Sequence, residues 1–374
     1  MRVPLGSSRI FFGRSGLLLN RECPHGDLPR VVTMGEAGSS QARSLPVVWR
    51  PVTIHGVSRI THRRAAGAAL LVLAMALLHA CDHRGSRVVS PAGVVWDRIT
   101  PPEATEADRP DWRGDSITFQ VSAQGLDRVA VAREDGSGLE IEPELSAAGA
   151  RSPRWVRGGL LAYSSDLAGS EDLWYREVAT GRTRRLTAFP GMEWTPAPRP
   201  GSPGLVYVEG VDPDSGRLVL VPDTSAAPLG KIYLTPASLH AGEPDWSPAG
   251  DQICFSTREP NGTSQIWRLS LTDTVAIQLT VAPSSSPPGV PQLDRGPKWS
   301  PDGSRILMAS NRGGLWGVWA LSPSGEAQGL AVIAQDLPGS ELRHPTWSAD
   351  GKAILVSTNR SGDRALWKLS HLEY

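Results

Sequence analysis

The sequence predicts an all-β fold: a six-bladed β-propeller with an N-terminal strand closing the last blade, preceded by a signal helix and a disordered leader. Three observations carry the propeller. Tryptophan is over-used, with 13 Trp against 5 Phe and 5 Tyr, so the indoles serve a repeated role. Six of them, Trp112, Trp155, Trp194, Trp246, Trp299 and Trp347, recur at separations of 43, 39, 52, 53 and 48 residues, the spacing of a repeat architecture. Four copies add a second indole, Trp174, Trp267, Trp319 or Trp367, placed 19, 21, 20 and 20 residues after the first.

Within a copy the elements follow a fixed order. The first Trp opens a turn, clearest in Trp299-Ser300-Pro301-Asp302-Gly303 and looser in Trp246-Ser247-Pro248-Ala249-Gly250 and Trp347-Ser348-Ala349-Asp350-Gly351. Pro presets one turn dihedral and Gly accepts a positive φ, so the chain reverses there. An apolar strand follows, at 116–121, 160–164, 205–209, 252–256, 305–309 and 353–357. A polar hairpin such as Ser310-Asn311-Arg312-Gly313 then leads into the strand that carries the second Trp. Three copies finish on a fourth strand ending in Thr187, Thr235 or Thr280, with looser equivalents near 140–145 and 330–334. The sixth copy has none, but Val94 to Thr100, ahead of the first copy, has the same ending and is expected to complete it. Four antiparallel strands in about 47 residues, six times over, specify radially packed blades and a closed ring without a free edge.

Composition narrows the partners. Residues 1–80 hold ten Arg and three acids, which leaves 28 basic and 35 acidic residues from position 81 onward. A mildly acidic body with only four Lys is a poor partner for nucleic acid, whose binding depends on neutralising phosphates. The 40% apolar content excludes a disordered or collagen-like chain.

The Trp-Ser-Pro-Asp-Gly turn and the paired indoles resemble the repeats of the TolB-type propeller family, called PD40 or WD40-like. The resemblance covers residues 93–374 and is fullest in copies four to six. In copy one Trp112-Arg113-Gly114-Asp115 is trimmed, in copy two Trp155-Val156-Arg157-Gly158-Gly159 lacks the Pro, and copy three has an irregular Pro196 to Pro203. TolB carries an α/β domain before its propeller, whereas about a dozen residues separate Cys81 from the first strand here, so the resemblance implies a TolB-like propeller rather than TolB. It also implies a non-enzymatic binding or scaffold module of the bacterial envelope that works as a monomer without a cofactor. Its partner would be an envelope protein, a peptidoglycan-associated lipoprotein among the options. Related oligogalacturonate lyases hold a divalent metal through channel histidines, so a metal-dependent carbohydrate-active enzyme is the alternative. A periplasmic sensor domain is a third reading.

Ahead of the repeats, Ala65 to Ala80 is apolar except for His79 and follows Arg63-Arg64. Sixteen residues are short for a span of ~30 Å and suit the core of a secretion signal. With Leu78-His79-Ala80-Cys81 the segment resembles a bacterial lipoprotein signal, which implies lipidation of Cys81 and a membrane-anchored protein on the periplasmic side of the envelope. The expected boundaries are a leader at 1–56, which a true start near Met34 or Val57 would remove, a signal peptide at 57–80, a linker at 81–92 and the propeller at 93–374. Cys23 precedes the cleavage site, so Cys254 stands alone and is expected as a small buried hydrophobe, with no disulfide framework.

Candidate chemistry is sparse. Neither Gly-x-Ser-x-Gly nor His-Glu-x-x-His occurs, and no hydrolase module is expected after the last blade. Residues just before the repeat Trp feed the innermost strand and are expected at the channel mouth: Arg109, Asp111, Arg154, Glu193, Glu243, Asp245, Lys298 and His344. With His240 and His344 as the only two mature-region histidines before repeat Trp, no metal site is expected. Asp212-Pro213-Asp214-Ser215-Gly216 reads as a hairpin turn, lacking the ligands of a Ca²⁺ loop. Pro283 to Pro291 reads as a spacer, and Trp316, outside the repeat register, as a candidate surface aromatic. The repeat Trp are expected between neighbouring sheets with their indole N–H tied to backbone.

Overall fold

A computed structural model of the chain describes residues 9–13, 16–20, 93–101, 104–123, 125–141, 148–281, 290–326 and 329–372. The chain divides into two units, Met1–Ala74 and Met75–Tyr374. In the first, Arg9–Gly13 pairs antiparallel with Gly16–Asn20, a hairpin inside the leader for which no regular structure was expected. Local pairing of two short apolar runs accounts for it. Cys81, the signal segment 57–80 and most of the 283–291 spacer lie outside the described residues. Among the described residues no helix is long and apolar enough to cross a membrane.

The second unit consists of four-stranded antiparallel blades. Blade 1 has strands Asp108–Arg113, Ser116–Ala123, Leu126–Arg133 and Glu140–Ile141, and blade 2 has Ala150–Trp155, Leu160–Ser165, Asp172–Glu177 and Thr183–Arg185. Blade 3 has Glu193–Pro198, Leu205–Asp212, Ser215–Val221 and Ile232–Tyr233, and blade 4 has Ala241–Trp246, Gln252–Arg258, Ser264–Ser270 and Ala276–Gln278. Blade 5 has Asp294–Trp299, Ile306–Ser310, Gly317–Leu321 and Leu330–Gln335. Blade 6 has Leu342–Trp347, Ile354–Thr358 and Ala365–Ser370, and its fourth strand is Val95–Arg98, paired as Ser370↔Val95 through Trp367↔Arg98. Each inner strand lies beside the next, and the sixth lies beside the first.

The core is distributed rather than central. Apolar residues of neighbouring blades form one cluster per interface, for example Phe119 and Ile117 of blade 1 with Leu355 and Leu366 of blade 6. Cys254 is buried with Trp299 and Trp319 between blades 4 and 5, as expected for a small hydrophobe. The recurring Thr has a local cause: the hydroxyls of Thr100, Thr187, Thr235 and Thr280 accept the third-strand N–H of Leu366, Leu173, Leu218 and Ile266. In the Asn-Arg hairpins, Asn311 and Asn359 accept the N–H of Leu293 and Glu341, at the entry to the inner strand of the same blade. The Trp-Ser-Pro-Asp-Gly turn closes on itself, with Ser300 Oγ donating to Asp302 and accepting from the Arg305 N–H.

Three expectations about Trp change. Trp112, Trp155, Trp246, Trp299 and Trp347 pair with the start of the second strand, but in blade 3 that place belongs to Pro198, opposite Leu205. Trp194 sits four residues earlier, opposite Val208, so it is not a repeat Trp. The indoles of Trp112, Trp194 and Trp246 do donate to backbone carbonyls, of Gly114, Gly210 and Ala197. Those of Trp155, Trp174, Trp267, Trp299, Trp319 and Trp367 have no partner, and their role is packing. Arg312 and Arg360 cover the rings of Trp319 and Trp367 at 5.8 and 5.1 Å. Trp316, expected at the surface, is half-buried against the blade 5–6 core and lies 5.8 Å from the Arg295 guanidinium.

Candidate functional site

The inner strands share one irregularity. Each loses pairing register in its middle, between Asp108 and Asp111 in blade 1 and at the equivalent place in the other five. The first unpaired residue has a left-handed backbone: Arg109 (φ 51°), Ser152 (53°), Thr195 (45°), Glu243 (50°), Gly296 (57°) and His344 (45°). The second is Pro in all six, Pro110, Pro153, Pro196, Pro244, Pro297 and Pro345. Proline has no N–H to give a ladder, and a bulge is where a strand tolerates it. Five non-glycine residues at positive φ are strained, and the bulge turns their side chains into the channel.

In the upper tier His344 is held between two carboxylates, with Nδ1 2.7 Å from Asp108 Oδ1 and Nε2 2.9 Å from Glu243 Oε1. Burial lowers the pKa of the ring, but the charge of Asp108 and the hydrogen bonds to Asp108 and Glu243 outweigh it, so the net shift is upward, toward the form in which both nitrogens donate. Burial works against the Asp108 and Glu243 anions, yet His344 and Arg109 hold both well below the usual carboxylate range. Glu243 Oε2 also accepts from the Gly296 N–H and the Ser256 hydroxyl, both at 2.8 Å. Gly296 lets blade 6 come close, since a Cβ there would stand 3.1 Å from His344 Cα. Arg109 reaches the other way, to Asp214 at 2.6 Å.

The lower tier is a charge quartet. Lys298 Nζ lies 2.9 Å from Asp245 and 3.3 Å from Asp111, spanning from blade 5 across to blade 1. Arg154 lies 3.2 Å from Asp111 and 4.0 Å from Asp245. The same carboxylates accept the backbone N–H of the next blade's Trp, Asp111 from Trp155 and Asp245 from Trp299. Burial raises Asp111 and pushes Asp245 up to about 7 against the pull of Arg154. Between the tiers the free cavity is about 20 Å³, room for about one water. The channel is filled by its own side chains, and its acids and bases neutralise one another.

Seven of the eight predicted residues therefore meet. Arg109, Arg154, Glu243, Lys298 and His344 line the cavity, and Asp111 and Asp245 hold its cations. Glu193 does not join them: it is fully buried at the blade 2–3 interface, bonded to Thr187, because the misplaced Trp194 set its register. Asp108, Ser152, Thr195 and Asp214 were missed. The invariant Pro after the bulge would have found the first three, while Asp214 arrives from a hairpin 105 residues away. His240 stands apart from His344, with Nδ1 3.2 Å from Ser215 Oγ. Among the described residues no group of three or more potential ligands could hold a metal. A larger cavity, about 550 Å³, lies at the other end of the inner strands between blades 6 and 1, beside Trp112, Lys352 and Lys368.

Comparison with known proteins agrees with the fold. TolB from Acinetobacter baumannii superposes with a TM-score of 0.53 at 16% identity, over 70% of this chain and 66% of that one, so the chain spans just under two thirds of its length. A protein assigned as TolB from Agrobacterium tumefaciens gives 0.54 at 17% identity, over 74% and 97%. An oligogalacturonate lyase in complex with manganese gives 0.51 at 13% identity, over 76% and 96%. At these identities the likeness is one of fold. No curated protein sequence matches. The TolB beta propeller domain family matches residues 117–371, more than half of the sequence, and the chain belongs to that family.

Proposed function

We propose that this propeller is a non-enzymatic binding module of the bacterial cell envelope, anchored through lipid on Cys81 and engaging an envelope protein at the channel mouth. The observation that carries the reading is the filled channel. Every charged side chain lining it is bonded to another side chain of the protein, and the space left is about 20 Å³. A catalytic cleft for an acidic oligosaccharide needs free volume and groups poised for substrate, whereas a binding ring needs a rigid charged rim. Family membership supports a periplasmic location without naming the partner.

The test is capture from native membranes with wild type, with the rim variant Arg343→Glu beside Asp108 and Asp214, and with Lys352→Glu at the opposite end of the inner strands. Wild type and Lys352→Glu are expected to bring down the same companion, and the rim variant to lose it. Cys81→Ala is expected to abolish incorporation of labelled palmitate. Equal capture by all three proteins, or turnover of oligogalacturonate by the purified protein, would overturn the reading.

A further inference from the structure

Blade 3 reaches further over the ring than its own interfaces require. Its second and third strands pair as far as Glu209↔Arg217, lose register, and pair again at Asp212↔Ser215. The interruption at Gly210 and Val211 redirects the tip, as bulges do. Gly210 and Gly216 allow the two strands to approach so closely that a Cβ on either would meet opposing backbone at 2.9 or 2.5 Å. The redirected turn lies on blade 4, where a Cβ at Gly242 would stand 2.5 Å from Asp214 O, and there Asp214 meets Arg109 of blade 1.

From this geometry we infer that the 209–217 hairpin is a self-inhibitory latch: Asp214 fills the place on Arg109 that an acidic side chain of a partner peptide takes when the hairpin lifts. The inference rests on the channel-mouth reading above and specifies its ligand. Arg109 has few alternatives, because Asp108 and Glu243 are both engaged by His344, which leaves Asp214 as the side chain hydrogen-bonded to its guanidinium. The remaining hold on the tip is slight. Beyond Gly210, which is anchored by its N–H to Met192 O and by the Trp194 indole on its carbonyl, it consists of one bridge, Gly216↔Ala241, the Ser215–His240 contact, and an Arg258–Asp212 pair at 3.5 Å whose side chains are 51% and 40% exposed. Exposed pairs of that kind exchange readily with water. Thr195 lines the same cavity as Arg109 with a hydroxyl that is buried and without a partner, a hydrogen-bonding group unused in the closed form. Asp214 is replaceable without loss of the turn, since the Asp212 carboxylate caps its backbone N–H at 2.8 Å.

The test uses a fluorescent peptide of alternating Gly and Asp, read by anisotropy at low salt. Asp214→Asn is expected to bind it about tenfold more tightly than wild type, with faster amide exchange over residues 210–216. Adding Arg109→Gln to Asp214→Asn is expected to remove the gain while keeping the fast exchange. Equal binding by wild type and Asp214→Asn overturns the latch, as does a gain that survives loss of Arg109. A gain for phosphatidylglycerol vesicles instead of the peptide overturns the assignment to an acidic peptide. The two failures are distinguishable: a failed peptide test leaves the membrane capture result standing, whereas equal capture by the rim variant removes the channel-mouth reading on which the latch rests.

Discussion

Glu193 and Asp294 occupy the same place in the repeat, the first residue of an inner strand, and both are fully buried acids. In blade 5 the carboxylate is matched: Arg312 lies 2.6 Å from Asp294, the Ser310 hydroxyl donates to it, and Gln292 adds a third bond. In blade 3 the neighbour is another acid. Burial first, then the charges of Asp172 and Glu209, push Glu193 up to about 8 despite the Thr187 hydroxyl. One blade meets the repeat's requirements with a complementary pair, and the other with a buried carboxyl that has no ion pair among the described residues and holds its proton more tightly. The unmatched blade is also the one that lacks the repeat Trp and extends a hairpin over the channel, in line with local rules breaking where a surface is put to use.

The contrast predicts substitutions of opposite sign. Asp294→Asn leaves the buried Arg312 with only the more exposed Glu326 as counter-charge and is expected to cost up to about 3–5 kcal/mol in denaturant unfolding. Glu193→Gln is expected to stabilise. The native state favours the protonated acid, so the stability it contributes is complete below the ordinary value of 4.5 and is lost progressively as pH rises to about 8. The gain from Gln is therefore expected to be small at pH 4 and on the order of 2–4 kcal/mol at pH 9. A gain independent of pH would break the comparison. The shared feature gives the smallest effect: Thr187→Val and Thr280→Val each remove a hydroxyl that caps a buried third-strand N–H, at an expected cost of about 1–2 kcal/mol. Matching costs would sharpen the conclusion that this cap is common to the repeat and that Glu193 and Asp294 are set apart by their charge pairing.

The same contrast marks what could be read from sequence. Blades 4 to 6 were legible because the turn after Trp299 and its looser relatives is local chemistry, a Ser, an Asp and a Gly within a few residues. Most of the channel was legible for a related reason, since residues one and three before the Trp follow the bulge wherever the Trp is in place. Blade 3 was not, because Trp194 imitated the signal four residues early while Pro198 filled the true position. The six bulge prolines are the more faithful marker, being tied to the missing ladder bond rather than to the packing between sheets. Asp214 had no local signal at all, because its partner belongs to a different blade.

The pairing of Val95–Arg98 with Ala365–Ser370 joins residues about 270 positions apart. A ribosome releases the first member of that pair long before the second exists, so the ring cannot mature blade by blade in the order of synthesis. Closing so long a loop costs more entropy than any hairpin within a blade, although the increment grows only logarithmically. Assembly therefore has a compulsory final event, and until it occurs the growing chain carries an exposed β-edge that a chaperone or a second nascent chain can claim.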